Sequence, residues 1–221
     1  KIGLVSLTQP EFKPLLFTIE MLQNLFHSSF SISQDDGNDL QSAFNTKGII
    51  HLYGHGEIKQ LDLGNLQYSI PFYQKDHWQD LRNQKKKFNR CQSMVIFNTC
   101  FSGAAGPIYE YDSELHTNLL LQGAPAIVIS SIRSEEQASA MIFEKFYHKL
   151  EEGYTNENAL YWAKREYVEN QMGDQCNPYR WQAYKMISRQ KIQPFQPLSW
   201  WEKLILWLAN GRYLFGLPAL T

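Results

Sequence analysis

Short runs of consecutive apolar residues recur along the chain, and they predict buried strands. A strand that is covered on both faces is apolar throughout, whereas a half-exposed strand alternates. A looser alternation around Gly64-Asn65 predicts a hairpin over Glu57–Tyr73. The predicted strands are Lys1–Leu7, Phe30–Ser33, Gly48–Tyr53, Met94–Thr99, Ala124–Ser131 and Arg180–Ser188.

Segments between these strands carry apolar residues three and four positions apart, which predicts helices. Ser134-Glu-Glu-Gln137 is a capping box that would begin one helix, and Gly123 would end the helix before it. Thr155 or Asn156 would cap the last predicted helix. The alternation of apolar strands with helices predicts an α/β fold, with a mainly parallel central sheet and helices on both faces. The predicted helices are Pro14–His27, Asp76–Lys87, Asp112–Gln122, Ser134–Glu152 and Thr155–Gln171.

Two of the predicted strands end just before residues that together suit nucleophilic catalysis. Gly48–Tyr53 leads into Gly54-His55-Gly56, and Met94–Thr99 leads into Cys100. Ligands of parallel sheets bind beyond the carboxyl ends of the strands, so we expect both residues at one edge. A thiolate is the reactive form of cysteine, and imidazole is the natural base near neutral pH. The pattern predicts that Cys100 is a nucleophile and that His55 takes its proton.

An oxyanion hole and the absence of a metal follow from the same two segments. The tetrahedral intermediate needs backbone N–H donors, and we assign the N–H groups of Gly56 and Cys100 to this role. His51 precedes His55 by four positions, but this spacing binds zinc on a helix rather than a strand, and no third ligand is near. We therefore expect His51 in the core, and neither a metal nor another cofactor.

Composition and charge limit the alternatives. The 221 residues are enough for one sizeable α/β domain. The formal net charge of −1 gives no electrostatic basis for binding nucleic acid. No glycine-rich phosphate-binding pattern follows a strand, which sets nucleotide binding aside.

The separated cysteines Cys91, Cys100 and Cys176 fit a reducing compartment, so we expect a cytoplasmic location. Because the chain begins at Lys1, we expect it to be part of a longer protein.

The two strand ends resemble those of a known enzyme class. Tyr53-Gly54-His55-Gly56-Glu57 resembles the histidine–glycine turn of caspase-like (clan CD) cysteine peptidases. Asn98-Thr99-Cys100-Phe101-Ser102-Gly103 is similar to their cysteine loop, although it lacks the Q-A-C-[RQG]-G signature of caspases proper. The histidine precedes the cysteine, in the order and at roughly the spacing of about 50 residues known for this class.

Two later segments narrow the resemblance to the CHAT domains, the caspase-like domains usually found behind tetratricopeptide repeats. Gly123–Ala138 is similar to their strand and helix entry, and Asn177–Ile187 is similar to their closing strand. The usual Leu-Trp and acidic pair of that family are replaced here by Ile132-Arg133 and Glu135-Glu136. The resemblance covers residues 1–190.

The resemblance implies a caspase-like three-layer sandwich and a cysteine endopeptidase that acts on a polypeptide substrate. It also implies a triggered protease of a larger bacterial protein in defence or cell-death signalling, with a regulatory repeat domain N-terminal to this fragment. The departures from the family pattern leave an alternative open. In that alternative the domain is a catalytically inactive interaction module that binds a partner protein.

The resemblance also assigns substrate-binding residues near the predicted dyad. Asn98 is placed where caspases have a polar pocket residue, and a structural hydrogen bond is its alternative role. Ser131 ends the predicted strand Ala124–Ser131 and Arg133 follows it, where caspases carry a substrate-contacting arginine. A solvated loop arginine is the alternative role of Arg133. Arg133 favours an acidic or polar substrate residue, whereas the acidic turn at Asp35-Asp36 favours a basic one. The sequence leaves this choice open.

The remaining segment, residues 191–221, is an aromatic C-terminal extension. Pro194 and Pro197 separate it from the domain, and the apolar run of Ser199–Ala209 is too short to span a bilayer. We expect a helix that docks on this domain or on a partner domain. Contact with a membrane surface is the alternative. Its large apolar residues are Trp200, Trp201, Leu204, Ile205, Trp207 and Leu208.

Overall fold

The fold is given by a computed structural model. It describes residues 2–6, 32–35, 48–54, 56–60, 66–69, 71–74, 77–80, 91, 93–100, 102, 113–133, 135–170, 177–189 and 191–192. The strands are β1 Ile2–Ser6, β2 Ile32–Asp35, β3 Ile49–Tyr53, β4 Glu57–Gln60, β5 Leu66–Ser69, β6 Pro71–Gln74, β7 His77–Asp80, β8 Met94–Asn98, β9 Ala126–Ser130 and β10 Tyr184–Ser188. The helices are α1 Ser113–Leu121, α2 Glu136–Glu151, α3 Asn156–Glu169 and α4 Pro178–Trp181.

The main sheet has the strand order β10-β9-β8-β3-β1-β2. Every neighbouring pair is parallel except β10 with β9, which is antiparallel. The central strands β3 and β9 are buried at every residue, as expected for continuous apolar runs in a covered parallel sheet. The prediction of a mainly parallel α/β sheet is confirmed.

Helices cover the sheet on both faces. On one face, Ile96 and Val128 pack into a core that includes Phe143 of α2 and Tyr167 of α3, all nearly inaccessible to solvent. On the other face, Phe97 contacts the His116 ring of α1, with ring centroids 5.4 Å apart. Neighbouring residues of β8 therefore point to opposite layers, which gives the three-layer arrangement.

Three helix ends show how well local signals predicted the boundaries. Thr155 caps α3 and accepts a hydrogen bond from the Asn158 N–H at 3.5 Å, as predicted. Gly123 follows α1 with a φ of +118°, where a Cβ would meet the Cys91 carbonyl oxygen at 3.1 Å. The predicted capping box is wrong by one position, because α2 is capped at Glu135, without a side-chain hydrogen bond.

Two predicted elements are wrong in part. The helix expected at Asp76–Lys87 is a strand over His77–Asp80, because the register Gln74↔His77 closes a tight antiparallel hairpin of β6 and β7. The last strand begins at Tyr184 rather than Arg180, because Pro178 opens a short helix first. The predicted helix Pro14–His27 and the extension beyond Ile192 lie outside the described residues.

Candidate active site

The neighbouring strands β3 and β8 end side by side. They are parallel and paired over five positions, the last pair being Tyr53↔Asn98. Beyond that pair, the N–H of Gly54 donates to the carbonyl of Asn98 at 3.4 Å. Gly54 and Cys100 therefore follow the two strands at the same edge of the sheet, which we call the carboxyl edge.

The predicted catalytic residues are described to different extents. Cys100 is half-buried at the carboxyl edge, immediately after the bend at Thr99. Gly56 is also half-buried and directly precedes β4. Residue 55 lies outside the described residues, so the pairing of His55 with Cys100 stays a prediction. The same holds for the oxyanion hole that we assigned to the N–H groups of Gly56 and Cys100.

Asn98 takes part in a triangle of hydrogen bonds just below Cys100. Its Oδ1 accepts from the Ser139 hydroxyl at 2.6 Å and from the Tyr184 hydroxyl at 2.7 Å. The two hydroxyl oxygens are themselves 2.8 Å apart. The triangle joins the end of β8 to the first turn of α2 and to β10. Within the described residues the Nδ2 of Asn98 has no hydrogen-bond partner, and its role in binding substrate stays a prediction.

Ser102 was given no role by the sequence analysis, yet it fixes the loop after Cys100. Its buried hydroxyl accepts from the Ser130 N–H at 2.7 Å and donates to the Phe97 carbonyl at 3.3 Å. A parallel ladder continuing the register Ile96↔Val128 would join these two backbone groups directly. Ser102 thus bridges β8 and β9 where the next ladder bond would lie. The available signal was a small hydroxyl residue two positions after the cysteine.

Ser131 and Arg133 follow β9 at the same carboxyl edge. The Ser131 N–H donates to the Ala183 carbonyl at 2.8 Å, while its buried Oγ has no hydrogen-bond partner among the described residues. Arg133 is exposed and forms no ion pair within the described part of the chain. Arg133 is accessible to a ligand whereas the Ser131 Oγ is not, and the assignment of both residues to substrate binding stays a prediction. Asp35, of the predicted acidic turn, is the last residue of β2.

His51 lies in the interior of the same strand that leads to His55. Its Nδ1 is hydrogen-bonded to the Tyr147 hydroxyl at 2.9 Å, and its ring packs on Phe143 with centroids 4.8 Å apart. Burial lowers the pKa of His51 to about 3, so the ring is neutral at physiological pH. It is sealed under α2 and is a core residue, as its sequence position predicted.

Cys91, unlike the half-buried Cys100, is a core residue. It is fully buried before β8, its Sγ is 3.6 Å from the Ser93 carbonyl oxygen, and burial raises the pKa of its thiol. A buried thiol of raised pKa is a poor nucleophile. Within the described ranges, no three His, Cys, Asp or Glu side chains group as a metal site. No helix in that part of the chain has the length and apolar character needed to cross a membrane.

The family model of the CHAT domain matches residues 19–189, which is more than half of the chain. The chain belongs to the CHAT domain family. This confirms the resemblance drawn from the strand ends and the closing segment. No curated protein is similar enough in sequence to count as a relative of this CHAT domain.

The fold of the CHAT domain is also found in a solved structure. A chain of the Saccharomyces cerevisiae separase–securin complex matches it with a TM-score of 0.53 and 13% sequence identity. The match covers 85% of this chain but 11% of the other chain, so this domain corresponds to a small part of that protein. The shared architecture is caspase-like, as predicted. The CHAT domain is thus a caspase-like protease or a domain derived from one.

Proposed function

We propose that this CHAT domain is a cysteine endopeptidase with a Cys100–His55 dyad. The observation that supports the proposal best is the in-register ending of β3 and β8, tied by the Gly54–Asn98 backbone bond. Two adjacent parallel strands that end in register bring the residues after them to one place. This placement supports a proposal in which the histidine after β3 acts as general base for the cysteine after β8.

In the proposed reaction, His55 takes the thiol proton and the Cys100 sulfur attacks the peptide carbonyl carbon. The N–H groups of Gly56 and Cys100 stabilise the oxyanion of the tetrahedral intermediate. When the intermediate collapses, the carbon–nitrogen bond breaks and the imidazolium gives its proton to the leaving amine. Water, deprotonated by His55, then attacks the thioester and releases the acid, which restores the thiol.

In the proposal the substrate lies along the carboxyl edge and is bound by Asn98, Ser131 and Arg133. The exposed guanidinium of Arg133 and the half-buried position of Asn98 support this placement, whereas the Oγ of Ser131 is buried. The regulatory part of the proposal rests on the family alone. In this part the domain lies behind a repeat domain that gates the site, in a bacterial protein of defence or cell-death signalling. The proposed cytoplasmic location rests on the separated cysteines.

An inactive interaction module is the second candidate. It is favoured by the Asn98 triangle, because the carboxamide oxygen of the predicted pocket residue is used inside the fold. In this case the carboxyl edge would bind a partner protein without cleaving it. The chain departs from the usual family pattern at Ile132-Arg133 and Glu135-Glu136. These departures also favour the interaction module.

Labelling with peptide electrophiles separates the two candidates. Probes with an acidic, a basic or a neutral residue next to the electrophile are incubated with the full chain, and the modified residue is found by peptide mass mapping. We expect modification of Cys100 that is lost in Cys100→Ala and in His55→Ala but kept in the control Cys91→Ala. The preferred probe would decide between the acidic and basic substrate preferences.

Two results would contradict the peptidase. One is labelling of Cys100 at an unchanged rate in His55→Ala, which would remove the base from the mechanism. The other is the absence of labelling with every probe and with the repeat-containing protein present, which would favour the interaction module. Circular dichroism of each variant checks that the fold is retained.

A further inference from the structure

A groove lies between α3, α4 and β10, and one of its lining residues, Tyr184, also belongs to the Asn98 triangle at the carboxyl edge. It has a volume of about 780 Å³. Its charged border includes Glu157 and Glu169, near the two ends of α3. Its apolar and aromatic lining consists of Leu160, Tyr161, Val168, Trp181 and Met186.

The groove borders an edge of the sheet. β10 is the terminal strand in the described sheet, and β9 pairs with one of its sides. Natural proteins cover or block such edges, because open strands and apolar surfaces promote association. Tyr161 is 60% exposed in the groove, so its ring is accessible to a binding segment. A segment bound in the groove would cover this ring and the neighbouring edge strand.

The chain itself leaves the domain at one end of this groove. The Ile192 N–H donates to Asn156 Oδ1 at 3.1 Å, and the Asn156 N–H donates to the Ile192 carbonyl at 2.9 Å. Lys191 and Glu157 form an ion pair at 3.6 Å. These contacts fix residue 192 at the start of α3, beside the groove, so the C-terminal extension begins there.

We propose that the segment Ser199–Ala209 binds in this groove as an amphipathic helix. As a helix it would be about 16 Å long, against about 18 Å for α3 between Glu157 and Glu169. Residues 193–198 can extend about 20 Å, which is enough to bring the segment alongside α3. The lengths of segment, linker and groove therefore agree.

The chemistry of the segment also suits the groove. Its large apolar residues recur at helical spacing and would form one stripe, which is the pattern of a helix bound in an apolar groove. Glu202 falls outside this stripe, so a helix bound through the stripe directs this carboxylate away from the groove. The residues of the stripe are Trp200, Trp201, Leu204, Ile205, Trp207 and Leu208.

Limited trypsin digestion of the full chain tests the proposal through Lys203, which lies inside the segment. Tyr161→Glu places a charge in the groove, and Tyr179→Glu is the matched control, since Tyr179 is 72% exposed and lies outside the groove. We expect Lys203 to be protected in the wild type and in the control. In Tyr161→Glu, cleavage after Lys203 should become at least about tenfold faster.

Several outcomes would overturn the proposal. Equal protection of Lys203 in all three proteins would place the segment elsewhere on the domain. Protection that disappears on dilution, with dimers seen by sedimentation, would make a second copy the occupant. Protection that appears only with anionic lipid vesicles would assign the segment to a membrane surface. Thermal unfolding by circular dichroism verifies that Tyr161→Glu remains folded, as its exposure leads us to expect.

Discussion

The interior of the sheet and its carboxyl edge both contain reactive residue types, but the two regions differ in how deeply these residues are buried. In the interior, His51 is fully buried and neutral, and Cys91 before β8 is sealed with a raised pKa. At the carboxyl edge, Cys100 and Asn98 are half-buried and Arg133 is exposed. Position along a strand, rather than residue type, thus determines whether a reactive side chain is buried or accessible.

The physical cause of this difference is desolvation. Burial penalises the charged forms of histidine and cysteine, which the chemistry of a dyad needs. At the carboxyl edge the strands end, and Cys100 keeps part of its surface accessible to solvent. Specific hydrogen bonds, namely the Asn98 triangle and the Ser102 bridge, hold the strand ends together at this edge. The comparison leads to four predictions, from the largest expected effect to the smallest.

The largest effect concerns the two thiols. Native protein treated with iodoacetamide should react at Cys100 about a hundredfold faster or more than at Cys91, because Cys91 is inaccessible and its pKa is raised. Quantitative mass mapping over time measures both rates. In denaturant the two rates should converge. Similar rates in the native protein would remove the distinction between interior and edge.

The second effect is acid destabilisation by interior histidines. Burial lowers the pKa of His51 to about 3 and that of His116 to about 4, from an ordinary 6.5. As the pH falls below 6.5, the unfolded chain binds protons that the folded chain does not. Each histidine should therefore lower the free energy of unfolding by about 2 kcal/mol between pH 6.5 and pH 5. Urea denaturation at a series of pH values measures this loss.

His51→Gln sharpens the pH experiment. Removal of one buried histidine should reduce the slope of unfolding free energy against pH by about 1.4 kcal/mol per pH unit below pH 6.5. His148→Gln is the control, because His148 is an exposed residue of α2. An unchanged slope in His51→Gln would mean that the histidine is not held neutral by burial.

The third effect concerns the bridge between β8 and β9. Ser102→Ala leaves the N–H of Ser130 and the carbonyl of Phe97 without their shared partner, at a cost of about 1–3 kcal/mol in unfolding free energy. We also expect slower labelling of Cys100, because Ser102 holds the loop that carries the thiol. Denaturant unfolding and iodoacetamide labelling measure the two consequences.

Ser139→Ala is the matched control for that experiment. It removes another buried serine hydroxyl, from the triangle rather than from the cysteine loop. We expect a comparable loss of stability but a rate of iodoacetamide labelling at Cys100 close to that of the wild type, since this small reagent does not require the predicted substrate-binding residue Asn98. If both variants slowed labelling equally, the effect of Ser102 would be one of general stability and not of loop position.

The smallest effect is expected at the triangle itself. Tyr184→Phe keeps the buried ring packed on Phe143, with centroids 4.8 Å apart, and removes only the hydroxyl. Asn98 Oδ1 would still accept from Ser139, so the loss should be about 1 kcal/mol. Thermal and urea unfolding would detect it. A loss of several kcal/mol would show that the triangle acts as a unit.

Sequence patterns predicted the elements whose signal is local. The apolar runs gave β3, β8 and β9 almost to the residue, and Thr155 and Gly123 marked helix ends correctly. Sequence patterns predict the wrong element where pairing with a distant segment sets the secondary structure. The local pattern predicts a helix at β7, because its pairing with β6 leaves little trace in a single segment. The start of β10 was missed for a similar reason, since pairing with β9 sets it.

The sequence by itself determined that a histidine and a cysteine each follow a buried strand, and that the chain resembles CHAT domains. Strand order, register and the contacts between distant residues were decided by the tertiary structure. Asn98 meets Ser139 and Tyr184 across separations of 41 and 86 positions, and Ser102 meets Ser130 across 28. Such contacts form because packing satisfies buried polar groups wherever the fold brings them, and no periodicity in the sequence records that requirement.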